Sequence, residues 1–243
     1  MLKKMIRRVV NVFGIDLVRL KNDPKTTFLG LTALPIGLVL DIGANTGQFA
    51  RTALQKFPRA QIHCFEPLAG PFAELDAWAS TRRDRVIAHN VAVGDVAGKM
   101  EMMLHDNHTP SSSFLSTTQR NDELFPFTRA QRPETVEIRT LDDCVRDIRP
   151  LPEGDILIKM DVQGYEMHVI RGASATLRAA RACVAEVSLD HLYVGQPTMQ
   201  DIVLSMADAG LQYAGNLEQS RDATGHVVYI DAVFLRSVPP VGS

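Results

Sequence analysis

An acidic residue and two glycines lie where a predicted strand gives way to a predicted helix. The stretch VLDIGANTGQ, residues 39–48, starts as a short apolar run typical of a buried parallel strand, and residues 48–57 have a helical pattern. Open α/β sheets bind ligands at the carboxyl ends of their strands, where a glycine turn lets a ligand approach the backbone. An acid at this point opposes a pyrophosphate but suits an ammonium group. Asp41, Gly43 and Gly47 therefore predict a site for a ligand with a cationic group.

The same loop lacks the two common phosphate-binding patterns. No Lys follows Gly47, which excludes GxxxxGK[ST], and the loop has too few glycines for GxGxxG. Glu66 follows the strand pattern of residues 61–65 and lies 23 residues after Gly43. This is close to the offset of about 20 residues at which an acid binds the two hydroxyls of a ribose. A ligand with a ribose and a cationic amino-acid group is S-adenosylmethionine.

A third acid ends a later strand pattern. Residues 155–160 predict a strand, Asp161 follows at its carboxyl end, and Gly164 opens a helical pattern that extends over residues 164–180. Glu166 shares a helix face with apolar residues, and an unpaired carboxylate would be costly there. We therefore expect Glu166 to have a hydrogen-bonding partner.

Together these motifs resemble a known enzyme family. DIGANTGQF followed by FEP is similar to the cofactor-binding motifs of class I methyltransferases. IKMDVQGYE with IRGA, together with NVAVGD, the triple serine, TLD and DAVF, resembles the FkbM family over roughly residues 37–236. The resemblance implies S-adenosylmethionine-dependent O-methylation of a hydroxyl, commonly on a sugar of a glycan, glycolipid or secondary metabolite.

The resemblance also implies residue roles. Glu66 would bind the ribose hydroxyls, and residues 90–92 would lie along the edge of the adenine. Asp161 would lie near the amino or sulfonium end of the cofactor and near the acceptor. The implied cofactor-binding set is Asp41, Gly43, Ala44, Asn45, Gly47, Gln48, Glu66, Pro67, Asn90, Ala92 and Asp161.

Transfer to a weakly acidic hydroxyl also needs a group that accepts its proton. The candidate catalytic residues are Asp161, Glu186 and His191, all at predicted strand ends or in the loops that follow. For His191, a general base and a structural or surface role both stay open. A magnesium ion held by carboxylates is a less favoured alternative, because the sequence shows no dedicated ligand cluster.

A polar insertion interrupts the alternation of strands and helices at residues 94–135. Its glycines, prolines and serines predict an irregular functional lid or a disordered loop. Within it, His105, Asp106 and His108 favour an acceptor-binding lid over a metal site. Residues 111–113, three serines, either donate hydrogen bonds to sugar hydroxyls or form a flexible loop.

The remaining patterns predict an α/β fold with a Rossmann-like, doubly wound, seven-stranded sheet that is mostly parallel and has an antiparallel C-terminal strand. Strand patterns cover residues 37–40, 61–65, 85–93, 136–139, 155–160, 183–187 and 226–236. Helix patterns cover residues 48–57, 72–80, 164–180 and 199–209, and Thr198 and Asp201 form a capping pair before the last of these. The predicted domain covers residues 26–243, after an arm and linker at residues 1–25.

Composition excludes several function classes. The chain has 243 residues, 45% of them hydrophobic, and a formal net charge of −2, which is typical of a soluble globular protein and disfavours a bulk nucleic-acid binder. Its three cysteines lack a CxxC pair, so neither a disulfide framework nor a thiolate zinc site is supported. We expect a reducing, cytoplasmic compartment.

Two other functions stay open. One is a dinucleotide-dependent oxidoreductase, which Asp41 and the missing GxGxxG pattern disfavour. The other is a non-catalytic cofactor-binding interaction module.

The first 13 residues predict a basic amphipathic helix. Apolar residues recur at helical spacing, and four cations lie within the first eight residues. Such a helix either packs on its own domain or makes peripheral contact with an anionic membrane at its inner face. The best candidate for a membrane span, residues 28–40, is too short and is interrupted by glycine and proline. The oligomeric state is not predicted.

Overall fold

The computed structural model describes residues 28–105 and 107–237. Seven strands form one sheet in the order β3-β2-β1-β7-β8-β10-β9, and three form a second sheet in the order β4-β6-β5. The strands are β1 (Ile36–Ile42), β2 (Gln61–Phe65), β3 (Val86–His89), β4 (Ala92–Val93), β5 (Gly98–His105), β6 (Gln131–Arg139), β7 (Asp155–Met160), β8 (Ala182–Ser188), β9 (Leu211–Arg221) and β10 (Val227–Arg236). In the large sheet only the pairs that include β10 are antiparallel, which confirms the predicted fold class.

Helices cover both faces of the large sheet. They are α1 (Gln48–Lys56), α2 (Ala69–Ala79), α3 (Gln119–Leu124), α4 (Leu141–Asp147), α5 (Glu166–Gly172), α6 (Ser174–Ala179) and α7 (Met199–Asp208). Buried residues of α1 and α2 pack on one face, and those of α4 to α7 pack on the other. This doubly wound arrangement brings the carboxyl ends of β1, β2, β7 and β8 to one edge. Within the two described ranges, no helix combines the length and apolar character needed to cross a bilayer.

Several elements differ from the sequence predictions. The predicted strand of residues 136–139 belongs to β6 of the small sheet, and helix α4 was not predicted. The pattern of residues 85–93 divides between β3 in the large sheet and β4 in the small one. The seventh strand of the large sheet is β9, which was not predicted from the sequence. The predicted helix of residues 164–180 is broken at Ala173, whose φ is −116° and ψ is 18°. The break follows Gly172, which packs so closely on Gly94 that an added Cβ would lie 1.9 Å from the Gly94 carbonyl oxygen.

The insertion is not the irregular segment that its composition suggested. Residues 94–135 include β5, α3 and most of β6, and the described part of this segment joins β4 in the three-stranded sheet. This sheet has its own apolar core, in which Met102, Leu104, Val136 and Ile138 are buried. The insertion is therefore an ordered wall beside the carboxyl edge of the large sheet. The capping pair is confirmed, since Thr198 and Asp201 form a capping box on α7.

Candidate active site

A cleft opens at the carboxyl ends of β1, β2 and β7, between the large sheet and the insertion. It contains about 930 Å³ of empty space, including its open mouth, which suits a small-molecule ligand. Nine of the eleven predicted cofactor-binding residues lie on its wall: Asp41, Gly43, Ala44, Asn45, Gln48, Glu66, Pro67, Ala92 and Asp161. The other two, Gly47 and Asn90, are not part of the wall but support it.

The glycine loop brings the backbones of β1 and β7 into contact. Gly43 has φ +78°, and a Cβ built on it would lie 1.9 Å from the Asp161 carbonyl oxygen. No side chain fits there, so the glycine is required by both its conformation and its surroundings. Gly47, with φ +90°, precedes α1 and packs near Leu75 and Trp78. The loop therefore lies against the backbone of Asp161 at Gly43 and leads into α1 at Gly47.

Glu66 is held rigidly at the end of β2. Its side chain is only 4% exposed, and its Oε2 and Oε1 accept hydrogen bonds from the backbone N–H groups of Asn45 (2.8 Å) and Leu68 (2.9 Å). Asn90 supports this turn by donating to the backbone oxygens of Glu66 (3.0 Å) and Pro67 (2.9 Å). Burial raises the pKa of Glu66 to about 7, although the two N–H donors favour the ionised form. Each oxygen retains accepting capacity toward the cleft.

A buried lysine, whose role is not evident from the sequence, joins the acids of the central strands. The Nζ of Lys159 on β7 lies 3.4 Å from Oδ2 of Asp161 and 3.3 Å from Oδ1 of Asp231 on β10. Asp41 faces Lys159 across the β1–β7 pair, and its Oδ2 is buried without a hydrogen-bond partner. Burial raises the pKa of Asp41 to about 7, against the attraction of Lys159.

Gln163 links the acids of β7 and β8. Its Nε2 donates to Oδ1 of Asp161 (2.8 Å) and to Oε1 of Glu186 (2.6 Å), and its Oε1 accepts from the hydroxyl of Tyr193 (2.6 Å). Its backbone is in the left-handed region at φ +52°, and its carbonyl oxygen accepts from Ser113 Oγ (2.7 Å). An uncommon backbone conformation at such a junction marks a position fixed by its surroundings.

The structure separates the three predicted catalytic residues. Asp161 lies on the cleft wall, and Glu186 is joined to it through Gln163. Burial, followed by the nearby Asp161 charge, raises the pKa of Glu186 well above its usual range. His191 is exposed in the loop after β8, and its backbone oxygen accepts a hydrogen bond from Thr118 Oγ1 at 2.5 Å. His191 is not among the residues that line the cleft.

The insertion contributes ordered polar contacts to the cleft. Thr109 Oγ1 accepts from Asn45 Nδ2 at 3.1 Å, and this bond ties the insertion to the glycine loop. Ser112 lines the cleft, and its Oγ accepts from the His105 N–H at 3.1 Å. His105 is fully buried and its Nδ1 contacts the Thr128 carbonyl oxygen, whereas Asp106 lies outside the described residues. Across residues 28–105 and 107–237, no three His, Cys, Asp or Glu side chains converge as metal ligands.

Glu166 has the partner that its position required. It is 4% exposed, and its Oε1 accepts from the Gly164 N–H at 3.1 Å. The sequence did not identify Lys159, Gln163, Asp231, Phe114 or Tyr165 as functional. A charged residue inside an apolar strand, as in ILIKM and YIDAV, is the signal that would have marked Lys159 and Asp231.

The combined arrangement suits a cationic ligand with a diol. Glu66 offers carboxylate oxygens on one side of the glycine loop, and Asp41 and Asp161 lie on the other side. Two rings, Phe114 and Tyr165, complete the wall with their centroids 4.8 Å apart. The unpartnered Oδ2 of Asp41, beside the glycine loop on the cleft wall, fits the amino group at the amino-acid end of S-adenosylmethionine.

The chain is similar to known methyltransferases. A family model described as the Methyltransferase FkbM domain matches residues 41–213. The 2-O-methyltransferase NoeI of Sinorhizobium fredii is 33% identical over 185 residues, which cover 72% of this chain and 73% of that protein. The 31-O-demethyl-FK506 methyltransferase FkbM of Streptomyces tacrolimicus is 32% identical over 178 residues, which cover 65% of this chain and 68% of that protein.

A solved structure shares the fold. The FkbM methyltransferase from Methylobacillus flagellatus aligns with a TM-score of 0.50 at 13% identity over 83% of this chain. The alignment spans 44% of the length of that chain.

Proposed function

The chain belongs to the FkbM family of S-adenosylmethionine-dependent methyltransferases, and from this premise we propose that it transfers the methyl group to a hydroxyl oxygen of a saccharide-containing or other hydroxylated acceptor. The family assignment decides against the dinucleotide oxidoreductase. Oxygen as the accepting atom is supported by the names of two relatives, a 2-O-methyltransferase and a 31-O-demethyl-FK506 methyltransferase.

One observation carries the proposal: the glycine loop, Glu66 and Asp161 meet in a single cleft. We assign the methionine end of the cofactor to Asp41 and the glycine loop, and the ribose hydroxyls to Glu66. The adenine then lies toward Pro67 and Ala92, with Met102 of the insertion beside them.

The cofactor supplies a methyl group that is already activated by a positively charged sulfur. The protein must therefore align the acceptor oxygen for in-line attack and remove its proton. The glycine loop and Glu66 would hold the cofactor, which would supply the methyl group, and Asp161 would accept the proton of the acceptor hydroxyl. Gln163 donates to Oδ1 of Asp161 and Lys159 Nζ lies 3.4 Å from Oδ2, and these two contacts restrict the orientation of the carboxylate.

The wall beside Asp161 matches the chemistry of a sugar. Phe114 and Tyr165 offer ring surface, while Thr109, Ser112 and Gln163 offer polar atoms. Sugars present both apolar C–H faces and hydroxyl groups, so a mixed lining of this kind favours them over a purely apolar acceptor.

The test is transfer of a radiolabelled methyl group from S-adenosylmethionine to a panel of hydroxylated saccharides, with the product linkage determined by NMR. Asp161→Asn is expected to lower kcat by about 10²- to 10⁴-fold, the usual contribution of a general base, while retaining S-adenosylhomocysteine binding in calorimetry. Asp208→Asn, an exposed change on α7, is the matched control. Methylation at nitrogen or carbon would refute the O-methylation proposal. Full activity of Asp161→Asn would refute the role of Asp161.

A further inference from the structure

A layer of charged side chains lies on the apolar core across four neighbouring strands, toward the carboxyl ends of β1, β7 and β8 and in the amino half of the antiparallel β10. Side chains two residues apart along a strand share a face. On this face, Val39, Leu157, Val184 and Val233 belong to one buried apolar cluster. The next residues on the same face, toward the cleft, are Asp41, Lys159, Glu186 and Asp231. Three acids and one lysine thus cover the core immediately beneath the site of methyl transfer.

Lys159 supplies the positive charge of this layer. Its side chain is 8% exposed, and among the described residues that line the cleft it is the one cation. Burial alone would lower the pKa of Lys159, but Asp161, Asp231, Glu186 and Asp41 together raise it above its ordinary value. The side chain therefore remains an ammonium group.

Asp161 depends on this ammonium group, because its other ionisable neighbours are acids. The groups that interact electrostatically with Asp161 or belong to its cluster are Asp41, Lys159, Glu166, Glu186, Tyr193, Tyr229 and Asp231. An ionised carboxylate among acids in a partly buried site takes up a proton unless an opposite charge lies close to it. Lys159 Nζ, 3.4 Å from Asp161 Oδ2, is that charge.

The contact also has a geometric effect. Gln163 donates to Oδ1 of Asp161, and Lys159 lies beside Oδ2, so each oxygen has its own neighbour. Lys159 Nζ is buried without a hydrogen bond of good geometry, and it lies between Asp161 and Asp231. Its effect on Asp161 is therefore mainly electrostatic.

We propose that Lys159 is a positioning residue for methyl transfer, whose buried ammonium group holds the Asp161 carboxylate ionised and in place at the cleft. The inference rests on the proposed function, in which Asp161 accepts the proton. It predicts that removal of the Lys159 charge favours protonation of the Asp161 carboxyl, because the attraction between Nζ and Oδ2 across 3.4 Å is lost.

The test is a ¹³C NMR titration of the aspartate carboxyl carbons in the full chain, with Asp161→Asn to assign the Asp161 signal. In Lys159→Met, the midpoint of the Asp161 signal is expected to move up by about one to three pH units, the usual effect of a close opposite charge. Lys159→Arg keeps the charge and is expected to restore much of the original midpoint. Lys99→Met, an exposed change on β5, is the matched control and leaves it unchanged.

The second readout is the pH profile of methyl transfer. The acid limb is expected to move upward in Lys159→Met in parallel with the NMR midpoint, while the KM for S-adenosylmethionine stays within about threefold. An unchanged Asp161 midpoint in Lys159→Met would overturn the inference. If Lys159→Met fails to fold, Lys159→Gln removes the same charge and decides in its place. Absence of methyl transfer by the unaltered protein would refute the proposed function alone, since the titration requires no acceptor.

Discussion

At the scale of single residues, Gly43 has the least freedom in the site. A Cβ at this position would lie 1.9 Å from the Asp161 carbonyl oxygen, and φ is +78°. Gly43→Ala must therefore move β7 away from β1 or strain the loop. We expect a loss of about 1–3 kcal/mol or more in the free energy of unfolding, measured in urea, and weaker binding of S-adenosylhomocysteine by calorimetry.

Gly70→Ala is the matched control for this substitution. Gly70 lies in α2, and no heavy atom is within 4 Å of an added Cβ. Alanine also favours a helix over glycine, so stability should stay the same or rise slightly. Unaltered cofactor affinity in Gly43→Ala would contradict the proposed role of the glycine loop.

Glu166 gives the protein a pH-dependent stability. Burial raises its pKa from 4.5 to about 7. In this range the folded state binds more protons than the unfolded chain, so this group's contribution to stability falls as pH rises. Glu166→Gln removes that dependence. We compare the free energy of unfolding of Glu166→Gln with that of the unaltered protein. The difference, variant minus unaltered, should increase in favour of the variant by about 3 kcal/mol between about pH 5 and about pH 8.

Urea unfolding across this pH range measures the difference. Glu101→Gln, a surface change on β5, is the control for the loss of a carboxylate. The Oε1 of a glutamine at position 166 can still accept the bond from Gly164, so the comparison keeps the local contact. A difference that stays constant with pH would show that the charge of Glu166 is not responsible.

Local patterns in the sequence predicted part of the site. Asp41, Gly43 and Glu66 follow predicted strands directly, and a strand followed by a turn is visible in a short segment. Lys159 became meaningful only when the fold placed Asp231 of β10 beside it. Contacts between distant segments determine such roles, and one sequence does not show them.

At the scale of elements, an ionic contact braces the insertion against the rest of the domain. The Thr118 N–H donates to the Leu192 oxygen and the Val194 N–H donates to the Ser116 oxygen, both at 2.9 Å. Next to these bonds, Arg120 of α3 lies 2.9 Å from Asp190 and 3.1 Å from Asp222. The insertion is thereby attached to the loop after β8 and to the turn between β9 and β10.

Arg120→Met should loosen this attachment without altering the cleft wall. We expect faster hydrogen exchange at the amides of Thr118 and Val194, and faster dissociation of S-adenosylhomocysteine in stopped-flow measurements. Arg146→Met is the control, because Arg146 pairs with Asp143 on the surface of α4. Unchanged exchange at both amides would contradict the bracing role.

Elements with a strong apolar pattern were predictable, and edge elements were not. β1 is buried throughout and was predicted, whereas β9 pairs only with β10 in the large sheet and most of its residues are exposed or half-buried. Its sequence therefore lacks the apolar signal of a central strand. The insertion was misjudged for a related reason. Most outward residues of β5 and β6 are charged, polar, glycine or proline, so these strands resemble loop sequence.

At the scale of the whole molecule, charge is divided unevenly. The first eight residues carry four Lys and Arg, and the other 235 carry 22 against all 28 Asp and Glu, a formal charge of −6. An anionic membrane therefore repels the domain on average and attracts the N-terminal segment. Residues 1–13 lie outside the described residues, and their amphipathic sequence pattern remains the basis for proposing peripheral membrane contact.

We expect the full chain to sediment with liposomes that contain anionic phospholipid, and a chain that lacks residues 1–13 to sediment much less. Replacement of Lys3, Lys4, Arg7 and Arg8 by Glu should have the same effect as the deletion, because it removes the attraction while keeping the length. Binding should weaken as salt is added and be weakest on neutral phosphatidylcholine liposomes, since screening reduces surface attraction. Equal sedimentation of the full and shortened chains, or none by the full chain, would rule out this contact and favour packing of the segment on its own domain.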